Sequence, residues 1–280
     1  MRFYEFEAKQ LLKKHRIPLV QSELANTADE AGKIAADVGG PLILKPQAIA
    51  PGIAAASAKE LADPAGAKAA AAELFELDDG GRKPNGILVE ARPAGEAVYS
   101  LSFTYDGTSK RPVVAAAGMA GKIDDIEETH PDRIVRRYFS ALYPFSDYIA
   151  KELAKSLSLG GNDLKRMTRI VSGLARLFLK YDFADLDIRS LVKLGDGNFV
   201  VLDVEADLEI EARNRQRPML DELCSTSLVS QKMTFGRFAS PPSSSSRAPE
   251  STKKTFAASS VQSRSSTATS AWSLALVAAR

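Results

Sequence analysis

With one cysteine and two histidines among 280 residues, this chain lacks the means for several kinds of chemistry. A lone thiol, Cys224, cannot close an intrachain disulfide or build a cysteine-based zinc site, and His15 and His130 are too few for a histidine metal centre. Neither sign of charge dominates: 37 Lys and Arg against 35 Asp and Glu leave a formal net charge of +2, and no basic cluster suggests a nucleic-acid partner. No apolar run reaches membrane-spanning length, and residues 1–16 are charged throughout, unlike a signal peptide. The chain is therefore expected to be cytoplasmic, with neither a membrane nor a nucleic acid as partner. What is present, 45% hydrophobic and 26% charged residues, suffices to bury the core of one or two domains.

The stretch from Phe183 to Asp203 is the most informative. It reads as two strand runs, Leu186–Leu194 and Phe199–Leu202, joined by the turn Gly195-Asp196-Gly197-Asn198. Asp185 and Asp187 stand on the first strand, Asp203 and Glu205 at the end of the second. Residues two apart on a strand share a face, so Asp185 and Asp187 project together, and antiparallel pairing can bring Asp203 near them. Carboxylates gathered on one face repel unless a cation or the positive group of a substrate lies between them. A solvated edge hairpin is the alternative.

The order of the other segments adds to this. A short amphipathic helix within Met1–Arg16 ends at Pro18; a helix around Thr27–Val38 and Gly39-Gly40 follow, then a buried strand Pro41–Gln47. Further on come Ile87-Leu-Val-Glu90-Ala91, Tyr99–Asp106 followed by Arg111-Pro-Val-Val114, Ile126-Glu-Glu-Thr129 with His130-Pro131, and the helix around Gly173–Leu179. Glu5, Glu7, Ala8, Lys9, Gln10, Leu11, Pro18, Lys45 and Gln47 stand at matching places of a known opening, E-x-x-A-K-Q-L, Pro, helix, Gly, and a strand ending V-V-K-x-Q. The series resembles the beta subunit of succinyl-CoA synthetase, the ADP- or GDP-forming succinate–CoA ligase of the tricarboxylic acid cycle, and its relatives ATP-citrate lyase and malate–CoA ligase. All belong to the ATP-grasp superfamily, and the resemblance covers about residues 1–222 in order.

That resemblance implies an α/β (α+β) ATP-grasp fold of mixed sheets and flanking helices. A smaller lobe, about 21–84, would be inserted in a larger one made of 1–20 and 85–222. It implies ATP or GTP as the nucleotide, Mg²⁺ as the metal, and a partner alpha subunit that carries a phosphorylated histidine. Lys45 would reach the alpha and beta phosphates, where the bland alternative is a surface lysine at a strand end. Glu90 would sit at the hinge beside the adenine, with Val89 and Ala91 near the backbone pair that bonds the base; Glu96 would hold the ribose. Solvated loop acids are the alternative for both. Asp203 would ligate Mg²⁺ with Asp187 as the accompanying acid.

Two departures from the family pattern stand out. Where the family has a metal-binding Asn, this chain has Arg189, which cannot ligate a metal but can contact a phosphate. The family's Gly-rich phosphate loop is here Ala50–Glu60, in which only Gly52 is kept. Composition also changes after Glu222: residues 223–280 are rich in Ser, Thr and Ala and poor in acid. They read as a disordered tail or as the product of a shifted reading frame, where the family would continue into a second domain. Two functions are compatible with this sequence: the nucleotide-binding part of an ADP-forming acyl-CoA ligase, or a non-catalytic remnant that keeps the fold. Asn162 or Asp163 is expected to cap the helix that follows Gly160-Gly161.

Overall fold

Apolar spacing distributes the chain between two antiparallel sheets. The computed structural model describes residues 1–48, 57–78 and 83–226, the side chains of 224–226 apart. Gly52 with most of its loop, and the sequence from 227 onward, lie outside the described residues.

The opening helix α1 (Glu5–Lys14) buries Phe6, Ala8, Lys9, Leu11 and Leu12. Its start is fixed by the Tyr4 N–H, which donates to Glu7 Oε2 at 2.9 Å. The first sheet contains β1 (Ser22–Ala25), β2 (Leu42–Pro46), β3 (Lys59–Leu61) and β4 (Ile87–Ala91), in the order β1-β4-β2-β3. Two helices cover it, α2 (Ala28–Val38) and α3 (Ala67–Phe75). Thr27 Oγ1 accepts from the Glu30 N–H at 3.2 Å to cap α2, and Gly39, at φ +67°, lets the chain leave it. Ala31, Ala35, Ala67, Ala70 and Ala71 are buried between these helices and the sheet, and their small side chains permit close packing over Leu42, Leu44, Leu74, Ile87 and Val89.

The second sheet contains β5 (Gly95–Asp106), β6 (Arg111–Ala117), β7 (Ile134–Tyr138), β8 (Phe183–Leu194) and β9 (Phe199–Leu208), in the order β7-β6-β5-β8-β9. Around it run α4 (Ile123–Thr129), α5 (Asp147–Ser156), α6 (Gly161–Lys180) and α7 (Arg217–Thr226). The α6 stripe of Met167, Ile170, Val171, Leu174, Leu177 and Phe178 is buried, in a core that also holds Phe103, Phe139, Phe183 and Phe199. Each such side chain contributes about 1.5–3 kcal/mol when fully withdrawn from water.

Two expectations need correcting, the mixed strand direction of the sheets and the cap of the helix after Gly160-Gly161. All the pairings between named strands are antiparallel, not mixed, both in hairpins such as β8–β9 and between strands far apart in sequence such as β1–β4 and β5–β8. The first lobe's sheet extends past 84, since β4 lies between β1 and β2. Gly160 is the N-cap of α6, and Asp163 Oδ2 is instead 3.0 Å from Lys193 Nζ. At the other end, α7 continues across residue 223 to Thr226. Among the described residues, no helix is long and apolar enough to cross a membrane.

Candidate functional site

Where the two sheets meet, four charges are buried together. Lys9 comes from α1, Lys45 from β2 and Glu90 from β4; their residue exposures are 3%, 8% and 0%. Glu5, one helical turn before Lys9, completes the set. Lys45 Nζ donates to Glu5 Oε1 at 2.7 Å and lies 3.0 Å from Glu90 Oε2. Lys9 Nζ lies 2.7 Å from the same Glu5 oxygen and bonds closely to Glu90 Oε1. Both ammonium groups also donate to the Leu202 carbonyl, each at 2.8 Å.

That carbonyl is available because of an irregularity in the β8–β9 ladder. Ser190 pairs with Asp203 and Leu191 with Val201, so Leu202 and Arg189 drop out of register. The freed Leu202 oxygen turns to the lysines, and the freed Arg189 oxygen accepts from the Gly121 N–H at 2.9 Å. Next to Leu202, the Asp203 carboxylate lies 3.8 Å from Lys45 Nζ with its side chain 37% exposed. Lys45 and Asp203 are thus a cation and an anion on the accessible side of the buried group.

The charges set one another's proton affinity. Burial alone would push Lys45 down, but Glu5, Glu90 and Asp203 outweigh it and hold the ammonium above the ordinary lysine value. Burial would raise Glu5, yet Lys9 and Lys45 bring its carboxyl below the usual glutamate value. Glu90, fully enclosed, is raised by burial even though both lysines pull the other way.

A second charged group occupies the exposed face of β8 and β9. Asp187 stands opposite Glu205 and Asp185 opposite Asp207, around a cavity of about 200 Å³ also lined by Arg2, Ser102, Thr104, Lys122 and Asp124. The repulsion expected there is answered by the protein's own cations. Arg2 lies 2.6 Å from Glu205 and 2.9 Å from Asp207, while the Arg189 guanidinium closes on Glu205. Burial pushes the Asp187 carboxyl above the ordinary aspartate value; a Ser102 hydrogen bond offsets this in part, and Asp185 adds to it.

The structure thus brings Lys45, Glu90 and Asp203 together and leaves the other expected residues elsewhere. Asp187 opens on the cavity, with the Arg2–Glu205–Arg189 pairs next to it, while Asp203 belongs with Lys45. Glu96 pairs with Lys193 at 3.2 Å and is more than half exposed. Glu90 points into the lysine pair, and the Ala91 N–H donates to Gln21 O at 2.9 Å, so the backbone at Val89–Ala91 is not a free hinge. The cause is topological: β4 is an inner strand, paired with β1 on one side and β2 on the other. Chain free of strand pairing begins only at Pro93–Ala94, between β4 and β5, since the Arg92 N–H still donates to Pro41 O at 2.9 Å. Lys9 and Glu5 escaped the sequence reading as site residues. The available signal was Lys9 falling three residues from both Phe6 and Leu12, in the apolar stripe of α1.

This two-sheet framework has known counterparts. A model of the ATP-grasp domain matches residues 2–193. The chain belongs to the ATP-grasp family. This ATP-grasp chain is 30% identical over 222 residues to the beta subunit of an ADP-forming succinate–CoA ligase from Methanocaldococcus jannaschii, covering 77% of this chain and 59% of that protein. It is 29% identical over 213 residues to the corresponding subunit from Methanothermobacter thermautotrophicus, covering 75% of this chain and 57% of the relative. The ATP-grasp chain therefore spans a little under two thirds of the length of these curated relatives. Among solved structures, its fold is similar to a dinucleotide-forming acetyl-coenzyme A synthetase of Ca. Korarchaeum cryptofilum, crystallised with coenzyme A and Ca-AMPCP, with a TM-score of 0.61 at 19% identity over 74% of this chain and 93% of that one. ATP citrate lyase from Methanothrix soehngenii shares the fold with a TM-score of 0.58 at 17% identity, covering 79% of this chain and 54% of the other.

The described residues accommodate one part of what the family implies more readily than another. Lys45 at the seam, with Asp203 beside it, suits a nucleotide's phosphates. A Mg²⁺ ion held jointly by Asp187 and Asp203 does not fit, since the two acids serve different groups and no three metal-ligating side chains converge among the described residues.

Proposed function

We propose that this chain is the nucleotide-binding part of an acid–CoA ligase beta subunit of the ADP-forming succinate type. In this reading ATP or GTP lies between the two sheets, with its phosphates at Lys45. Gly52 belongs to the loop that covers the phosphates, and Glu96 takes the ribose. Glu90 acts through Lys45 and not through the base, which would meet the Pro93–Ala94 link instead. The acid, the CoA and the phosphorylated histidine would be carried by a partner alpha subunit and by the part of the relatives that this chain does not cover. Asp203 alone offers an oxygen to a metal that arrives with the phosphates, and no step of this reading depends on a metal shared with Asp187.

The observation that carries the proposal is Lys45 itself: a buried, permanently charged lysine at the seam, at the residue the resemblance gives to phosphate. Calorimetric titration with ATP tests it. The unaltered chain should bind, and folded Lys45→Ala should lose most of the affinity, because a desolvated charge-assisted contact is worth about 1.5–3 kcal/mol or more. Unchanged affinity in the variant would move the nucleotide away from Lys45.

A second reading, a module that binds nucleotide without turning it over, is favoured by Arg189. Its guanidinium rests on Glu205 at the position where the family places a metal-binding Asn. CoA-dependent release of ADP in the presence of an alpha subunit separates the two readings: release supports the ligase, and binding without release supports the module.

A further inference from the structure

The two buried lysines share every anchor: one oxygen of Glu5, the Leu202 carbonyl, and one oxygen each of Glu90. They differ in what lies beyond. Lys45 has Asp203 on its accessible side at 3.8 Å, whereas Lys9 is enclosed by α1, Glu90 and the β9 carbonyl. This matters once a phosphate arrives. All the charge of Lys45 is engaged by protein, so turning toward a phosphate oxygen means relaxing its hold on Glu5 and Glu90. A buried carboxylate that loses its only cation is strongly destabilising. Here neither carboxylate loses its only cation, because Lys9 keeps both.

We infer that Lys9 is a positioning residue for phosphate recognition: it holds Glu5 and Glu90 so that Lys45 is free to engage the nucleotide. The inference rests on the proposed nucleotide site and assigns that site a residue that never touches the ligand. Lys9 stays in place while Lys45 moves, so each buried carboxylate keeps one cation with and without nucleotide. The role requires the charge of Lys9 more than its shape, so arginine should serve and a neutral side chain should not.

Titration calorimetry of Lys9→Met, Lys9→Arg and the unaltered chain with ATP, ADP and adenosine tests this. Lys9→Met should weaken ATP and ADP on the order of tenfold or more and leave adenosine unchanged, and Lys9→Arg should recover most of the loss. If Lys9→Met does not fold, Lys9→Gln, which keeps an amide donor toward the Leu202 carbonyl but no charge, carries the same comparison. An equal loss for adenosine and ATP would reduce Lys9 to a structural residue and overturn the inference, as would full ATP affinity in the neutral variant. Absence of ATP binding by the unaltered chain would instead overturn the nucleotide reading, and this inference with it.

Discussion

The seam between the sheets and the exposed face of β8–β9 handle like charge in opposite ways. At the seam, two carboxylates and two ammonium groups from three separate elements interleave, so each acid meets both cations and little of the group reaches solvent. On the β8–β9 face, the acids come from adjacent strands in direct register, and the cavity they line holds five acidic residues against Arg2 and Lys122. Charges brought from different elements can alternate in sign. Charges along a strand pair sit where the register puts them, and cations must be fetched from outside: Arg2 from the N-terminus, Lys122 from the entrance to α4, Arg189 from the ladder irregularity. The first arrangement makes a rigid, neutral joint, the second an open face with unspent negative charge.

The sharpest way to break the contrast is to remove Glu90. Glu90→Ala leaves Lys9 and Lys45 facing each other over Glu5, with only the more exposed Asp203 beside Lys45, in a largely buried site. Breaking a buried pair by deleting one partner costs about 3–5 kcal/mol. Urea unfolding of Glu90→Ala should show a loss of that size, whereas deletion of an acid on the open face should cost far less. A small loss at Glu90 would mean that water reaches the seam and the joint is not closed.

A smaller effect is expected on the open face. Arg189→Asn removes the guanidinium from Glu205, which retains Arg2 at 2.6 Å. The stability loss should be at most about 1.5–3 kcal/mol, the range for a charge-assisted hydrogen bond. The substitution also removes a repulsive cation and supplies a neutral amide oxygen, so Mg²⁺ should increase ATP affinity more in Arg189→Asn than in the unaltered chain. Equal Mg²⁺ dependence in both would show that Arg189 does not govern access of cations to this face.

These two regions were unequally legible in the sequence. The α6 stripe and the order of the strands follow from spacing alone, because apolar residues at helical or alternating period have few other ways to be buried. Asp185 and Asp187 on one face also followed from alternation. The turn of the Leu202 oxygen to the lysines did not: it follows from one locally slipped pair, Ser190 with Asp203, in a ladder whose register is the same on either side. Such a slip depends on the balance of many contacts and leaves no local signature. The inner position of β4 is illegible for a related reason, since whether a strand is an edge or an inner strand is a property of the sheet. Lys9 had a signal in the α1 stripe, but its partner Glu90 is 81 residues away in sequence.

A third place sharpens the comparison, because there two cations lower the proton affinity of a titratable group instead of raising it. His15 follows α1, its Nε2 2.9 Å from the Tyr181 hydroxyl. Burial, then Lys180 and Lys14, hold its pKa below the ordinary value of 6.5. Lys14 is itself paired with Glu222, at 2.5 Å. The folded chain therefore binds fewer protons at His15 than the unfolded chain does. Above pH 6.5 both states are neutral at this residue and stability is unaffected. As pH falls through 6.5 toward the depressed folded value, the unfolded state takes up its proton first, and this contribution to stability is lost. His15→Gln should remove that loss. Urea midpoints of the two proteins, measured at about pH 7.5 and about pH 5.5, should show a smaller acid-side drop for the variant, and a smaller difference than either substitution above produces. Parallel drops would mean that the imidazole gains a partner in the fold that compensates its charge, and that cations there are balanced as they are at the seam.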